Sequence, residues 1–188
     1  MALARADIKD WDARIRRLAA SVLLVCVACV CEAEAADLAS EAAIKAAFVY
    51  NFAKFIDWPA ETVAIATDVK ICIAGVDGEL AGTMTALDGN AMQARTVSVK
   101  REIKLDDLGG CHILLVGAGA RSLAEASRGK AGLLTVSDVK GFAGAGGVIE
   151  LFVEDGKIRF EINTRAAQRA GLRISSQLLK LARVTPEQ

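Results

Sequence analysis

The first 35 residues fix the compartment, and the compartment limits what the rest of the chain can fold into and do. Arg14, Arg16 and Arg17 precede an uncharged apolar run from Leu18 to Cys31, and Ala33-Glu34-Ala35 follows it. A basic start, a short apolar stretch and an A-x-A site describe a secretory signal peptide cut after about Ala35. The apolar run falls well short of the about 20 helical residues that cross a bilayer. An uncleaved anchor and a lipid-modified cysteine are the other forms such a segment can take. Neither Cys29 nor Cys31 has a Leu three residues earlier, which weighs against lipidation. The expectation is residues 1–35 as signal peptide and residues 36–188 as one periplasmic domain, with no membrane insertion after cleavage.

Removing the leader takes away Arg5, Lys9, Arg14, Arg16 and Arg17 together with Asp7, Asp10, Asp12, Glu32 and Glu34. Equal numbers of each sign leave, so the domain stays formally neutral, as the whole chain is with 23 basic and 23 acidic residues. A neutral domain lacks the basic footprint of a nucleic-acid binder, and there is no polybasic cluster for anionic lipid.

Cys26, Cys29 and Cys31 lie in the apolar run, leaving Cys72 and Cys111 in the domain. An even pair in an exported chain predicts one disulfide. Closing a loop of roughly 40 residues stabilises by about 4 kcal/mol through lost entropy of the unfolded chain. Two buried free thiols are the alternative.

From Ser40 to Trp58 the apolar residues Ile44, Ala47, Phe48, Phe52, Phe55 and Ile56 recur every three to four positions, with Ser40 as N-cap and Pro59 as stop. This spacing predicts an amphipathic helix whose aromatic stripe belongs to the core. Strands are expected at Val69 to Val76, Thr96 to Ile103, Ile113 to Val116 and Gly132 to Ser137. Helices are expected at Glu79 to Leu87 and Ala120 to Arg128. Such alternation predicts βαβ units around a largely parallel sheet.

The C-terminal part reads differently. Val148 to Glu154, Asp155-Gly156 and Lys157 to Asn163 form a hairpin signal, because Asp-Gly suits the positive φ angles of a type I′ turn. Counting outward pairs Glu154 with Lys157, Val153 with Ile158, Leu151 with Phe160 and Ile149 with Ile162, which makes one face apolar. The other face sets Phe152 against Arg159 and Glu150 against Glu161, a like-charge pair that needs relief. A short helix from Thr164 to Ala170 follows, then Gly171 as C-cap. Ser175 caps a last helix with Leu178, Leu179, Leu181 and Ala182 facing inward. The fold class is therefore α/β, a mixed, largely parallel sheet flanked by helices, with a C-terminal β-hairpin and helix.

Catalytic chemistry has few candidates. His112 is the one histidine, beside Cys111 at the start of a strand, and neither a CxxC nor a second histidine supports a metal site. Gly117-Ala118-Gly119-Ala120-Arg121-Ser122, with Asp138 at the end of the next strand, imitates a dinucleotide fingerprint. Ser122 replaces its third glycine, and a tight βα turn explains the same residues. Gly141 to Gly147 reads as a mobile glycine-rich loop whose amides could cradle an anion. No cofactor and no metal is expected.

The segment Lys45 to Phe55 (KAAFVYNFAKF) with Trp58-Pro59, then Cys111-His112-Ile113-Leu114, Ser137-Asp138 and Gly141-Phe142-Ala143, resembles the YfiR family of periplasmic proteins. Ile158 to Asn163 (IRFEIN) with Ala166-Ala167, Gly171-Leu172 and Ile174 to Leu179 (ISSQLL) is similar to the same family, so the likeness runs over residues 40–184. It implies a small non-enzymatic periplasmic repressor that forms a homodimer and binds the periplasmic sensor domain of an inner-membrane diguanylate cyclase, restraining cyclic-di-GMP synthesis. By the same resemblance Cys72 and Cys111 correspond to a family disulfide, while a second bridge found in some members is missing. The competing reading is a periplasmic nucleotide- or small-ligand-binding module or enzyme using the Gly117–Ser122 turn and Asp138. Arg159, on the polar hairpin face, and Arg165 and Arg173, part of a four-residue arginine spacing, are the expected binding residues, because guanidinium groups pair with carboxylates of a partner.

Overall fold

The computed structural model describes residues 39–59 and 68–185. The signal peptide expected at residues 1–35, with Cys26, Cys29 and Cys31, lies outside the described residues.

Helix α1 (Glu41–Phe52) starts where Ser40 Oγ accepts the Ala43 amide at 3.1 Å. It buries Ala42, Ala46, Val49 and Phe52 along one stripe. Phe52 and its neighbour Phe48 close on Phe160, with ring centroids 5.2 and 5.5 Å away, so the aromatic stripe is core. The helix stops short of the expected Trp58. At Ile56–Asp57 the chain instead becomes a short strand, β1, paired antiparallel with β9 (Arg173–Ile174), and the Phe55 carbonyl accepts the Ser175 amide. A remote strand thus overrides the helical period.

The remaining elements follow as β2 (Asp68–Ala74), α2 (Gly78–Thr85), β3 (Ala91–Met92), β4 (Arg95–Arg101), a 3₁₀ turn (Leu105–Gly110), β5 (Ile113–Val116), α3 (Arg121–Ala126) and β6 (Leu134–Ser137). The hairpin β7 (Ile149–Glu154) and β8 (Lys157–Ile162) comes next, then α4 (Thr164–Arg169), α5 (Ser176–Leu179) and β10 (Arg183–Val184). Among the described residues the main sheet runs β10-β8-β7-β6-β5-β2-β4-β3. Its middle, β7 to β4, is parallel throughout, and the hairpin and the β3–β4 pair are antiparallel. This is the mixed, largely parallel α/β architecture expected from strands alternating with helices.

Hairpin register matches the count from the turn at every pair, from Glu154 opposite Lys157 to Ile149 opposite Ile162. Asp155 at φ 50° and Gly156 at φ 69° supply the two positive angles a type I′ turn needs. The last helix departs from expectation. It spans four residues, and Leu181 beyond it is 72% exposed rather than facing inward.

Because side chains alternate across strands, the sheet has two unequal faces. One face gathers Ile71, Ile73, Ile113, Leu115, Leu134, Val136, Ile149, Leu151, Phe160 and Ile162 beneath α1, α2 and α4 in a continuous core. The other face carries a small cluster of Cys72, Ala74, Leu114, Val116, Ile103, Leu108 and Leu123 under α3 and the 3₁₀ turn. Beyond it, towards the hairpin, the same face turns polar with Thr135, Ser137 and Glu150, all buried.

Candidate functional site

Strands β2 and β5 are neighbours whose connections run to opposite sides of the sheet, so their C-terminal ends form a topological switch point. Open α/β sheets bind ligands in the crevice at that place. Here two loops meet in close backbone contact. Gly117 donates to the Ala74 carbonyl at 2.8 Å, and a Cβ on Gly117 would sit 1.9 Å from the Gly75 oxygen. A Cβ on Gly75, at φ +62°, would sit 2.5 Å from the Ala120 nitrogen. The glycines of the dinucleotide-like turn therefore allow two loops to pack closely, and beside them lies a cavity of about 340 Å³ whose walls include Gly75, Gly119, Ala120 and Ser122.

Asp138 is occupied as well. Lys45 Nζ lies 2.7 Å from Asp138 Oδ2 and 2.7 Å from Glu41 Oε1, tying α1 to the end of β6. Burial by itself pulls the Lys45 pKa down, but the hydrogen bonds and charges of Asp138 and Glu41 outweigh it and hold the ammonium above the ordinary lysine value. An Asp already paired with a fixed cation is a poor acceptor for a ribose hydroxyl. Asp138 and Gly117 of the nucleotide reading are thus engaged in structure.

The glycine-rich loop that follows cradles an anion, and the anion is internal. Gly141 and Ala143 donate their amides to the two oxygens of Glu150, each at 3.0 Å. Asn163 Nδ2 donates to the Ala143 carbonyl at 2.7 Å while its Oδ1 caps α4 through the Ala166 amide. The expected mobile loop is consequently tied to the sheet from both sides. Relief of the Glu150–Glu161 pair follows from the same bonds: Glu150 turns to the loop, and Glu161 accepts from Thr185 Oγ1 at 2.8 Å. Ser137 Oγ donates to the Val116 carbonyl and Thr135 Oγ1 accepts the Val148 amide, so this polar stretch satisfies itself.

Cys72 and Cys111 are joined by a disulfide with Cα atoms 5.8 Å apart, linking β2 to the start of β5 on the face with the smaller core. Next to it His112 is 3% exposed. Its Nδ1 accepts the Lys70 amide at 2.7 Å, so the neutral ring carries its proton on Nε2. Among the described residues Nε2 has no partner and neither does the buried Nε1 of Trp58, whose ring meets that of His112 edge-on at 6.3 Å. Burial pushes the His112 pKa below the ordinary value, Lys70 and Arg95 push the same way, and Asp68 opposes them. Cys111, beside His112 in the chain, is oxidised in the disulfide and so is not a nucleophile. Among the described residues no group of His, Cys, Asp and Glu is arranged to hold a metal.

The three arginines singled out in the sequence do not form one stripe. Arg159 stands exposed on the polar face of β8 opposite Phe152. Arg165 is exposed on α4. Arg173 lies beyond that helix, in β9, paired with Asp57. The four-residue spacing fails at Gly171, whose φ of +70° ends the helical turn before Arg173 is reached. A fourth arginine joins Arg159 on the polar face: Arg183 of β10 lies 4.6 Å from the Phe152 ring centre and pairs with Glu154. Sequence reasoning passed over it because β10 has two residues and no periodicity. Val153, Leu181 and Val184, three of the large apolar side chains left exposed, also belong to this C-terminal edge.

Comparison with known proteins gives little from individual relatives, as no curated protein matches. Among solved structures, a conserved domain protein from Vibrio cholerae O1 biovar El Tor is 11% identical, with a TM-score of 0.47, covering 78% of this chain and 60% of its own. The ABC domain in complex with L-Trp from Streptococcus pneumonia is 12% identical, with a TM-score of 0.42, covering 62% of this chain and 55% of its own. The chain thus spans less than two thirds of either structure. The YfiR/HmsC-like family profile, by contrast, matches residues 42–183, from the first turn of α1 to β10. Over that length the match takes in the helix, disulfide and hairpin described above, and the chain belongs to the YfiR/HmsC-like family.

Proposed function

We propose that the protein is a non-enzymatic periplasmic regulator that binds, as a homodimer, the periplasmic sensor domain of an inner-membrane diguanylate cyclase and represses it. The family match over residues 42–183 carries this reading. A periplasmic location fits the leader sequence and the Cys72–Cys111 disulfide, and no helix among the described residues is long and apolar enough to cross a membrane. In this reading the recognition residues are the exposed Arg159 on the hairpin, Arg165 on α4 and Arg173 on β9. Arginine is among the residues enriched at interface hot spots.

Repression is a population shift: the regulator holds the cyclase inactive to the extent that it binds the inactive state more tightly. Reduction of the disulfide or binding of a small molecule changes that difference and releases the enzyme. The deciding experiment mixes the exported protein with the isolated periplasmic domain of a cyclase encoded beside it, and follows association by calorimetry and cyclase activity in membranes. Saturable binding with lowered activity supports the reading. Full cyclase activity at saturating protein sinks it.

A further inference from the structure

A cavity on the face of the sheet with the smaller core lies apart from the C-terminal edge. It has a volume of about 270 Å³ and lies between α3 and the glycine-rich loop. Helix α3 contributes Arg121, Ala124 and Glu125, the i, i+3 and i+4 positions of one helical side, and the turn after it contributes Arg128. The loop contributes Lys140 and Phe142.

Three cations meet a single carboxylate there. In a neutral chain such clustering ordinarily ends in ion pairs, yet among the described residues Arg121, Arg128 and Lys140 make none, although Glu125 stands one turn from Arg121. The loop's own acidic neighbour is not available to them, because both Glu150 oxygens accept loop amides. The walls are shaped rather than incidental. The Phe142 ring lies against Gly147, where a Cβ would be 2.1 Å from its Cε1, and the Arg128 stem lies on Gly146, where a Cβ would be 3.4 Å from Cδ. Gly147 and Gly146 are thus the residues that let a flat ring and a guanidinium stem sit down on the loop.

We propose that this cavity binds a small aromatic oxyanion, a carboxylate or phosphate on a flat ring. The oxyanion sits among Arg121, Arg128 and Lys140, which offer charge-assisted hydrogen bonds. The ring stacks on Phe142, gaining the offset contact that aromatic pairs favour. The size suits a single-ring ligand, being at the lower end of small-molecule pockets. The proposal does not depend on the cyclase reading, and its test does not use the cyclase.

Benzoate, phenyl phosphate, inorganic phosphate and benzyl alcohol are titrated separately into the purified protein, and amide chemical shifts are followed. The expected result is saturable shifts confined to 121–128 and 140–147 with benzoate or phenyl phosphate, at an affinity at least about tenfold above inorganic phosphate and benzyl alcohol. The stronger of the two ring-bearing anions identifies the head group. Arg128→Gln should weaken binding about tenfold. Because its stem packs on Gly146, the exposed Lys140→Gln serves as a second variant with an undisturbed fold. Inorganic phosphate binding as well as phenyl phosphate overturns the role given to Phe142. No saturable shift in these segments, or an affinity unchanged from the native protein in both variants, overturns the site.

Discussion

The two faces of the sheet are held in different ways. On one face a continuous apolar cluster reaches from Ala42 in α1 through every long strand to Leu178 in α5. On the other the apolar cluster is smaller, drawn from β2, β5, α3, the 3₁₀ turn and the adjoining Ile103 and Leu133, and it contains the Cys72–Cys111 bond. The rest of that face is hydrogen-bonded polar groups. A covalent link stands where little apolar area is buried, and the lesson is that stability and accessibility are distributed oppositely. The face with the smaller core holds the glycine-rich loop, the cationic cavity and the cavity beside the dinucleotide-like turn.

Breaking the large core should have the greatest effect. Phe52 is 1% exposed and touches both Phe48 and Phe160. Phe52→Ala leaves a cavity no neighbour can fill and should cost about 3–5 kcal/mol. Urea unfolding should show a lower midpoint with an unchanged slope, as expected for a loss that is global and cooperative.

Breaking the disulfide should act more locally. Cys72→Ser is expected to cost about 2–4 kcal/mol, chiefly by freeing the unfolded chain. Hydrogen exchange sharpens the comparison, because amides in β4, the 3₁₀ turn and α3 should lose protection while those in α1 and the hairpin keep it. Equal loss on both faces would show that the disulfide supports the whole sheet instead of its less-packed side.

How far these contrasts were legible in the sequence depends on the range of the interactions. The hairpin was readable pair by pair, because alternation and Asp155-Gly156 are local signals. The end of α1 was not, since Ile174, far along the chain, draws Ile56 into a strand. Nor was the fate of the glycines. A glycine at position 117 is needed whether the neighbour is a pyrophosphate or the Gly75 backbone, and composition is the same in both cases. Glu150 looked like half of an unfavourable pair because its partners are backbone amides, which carry no sequence signature. Arg173 continued a helical spacing past a glycine that ends the helix.

Acid should separate the faces more gently. The folded His112 pKa is depressed below its unfolded value, so the unfolded chain binds the proton more readily. Stability from this group is complete above about pH 6.5 and is lost as pH falls from there towards the folded pKa. The slope cannot exceed about 1.4 kcal/mol per pH unit for one proton. Urea midpoints measured between pH 8 and pH 5 should fall in the native protein and fall less in His112→Gln, which has no such proton to take up. Parallel curves would place the pH dependence elsewhere.

The smallest effect on stability is expected at the arginines, and there it matters most what does change. Arg159 and Arg165 are exposed on the hairpin and α4, and Arg173 sits opposite Asp57 in a two-residue strand. Surface substitutions of this kind stay within about 0.5 kcal/mol, because exposed charges interact through water and exchange their partners freely. If these side chains only solvate the surface, Arg165→Glu with Arg173→Glu leaves both the unfolding midpoint and binding to the cyclase domain where they were. If they form the recognition surface, the midpoint stays and binding falls. The loss should appear mainly as slower association that weakens with added salt, since rim charges steer encounter more than they hold the complex. Repeating the measurement with Arg159→Glu alone tests whether the hairpin face belongs to the same surface. A normal association rate in that variant would confine recognition to α4 and β9.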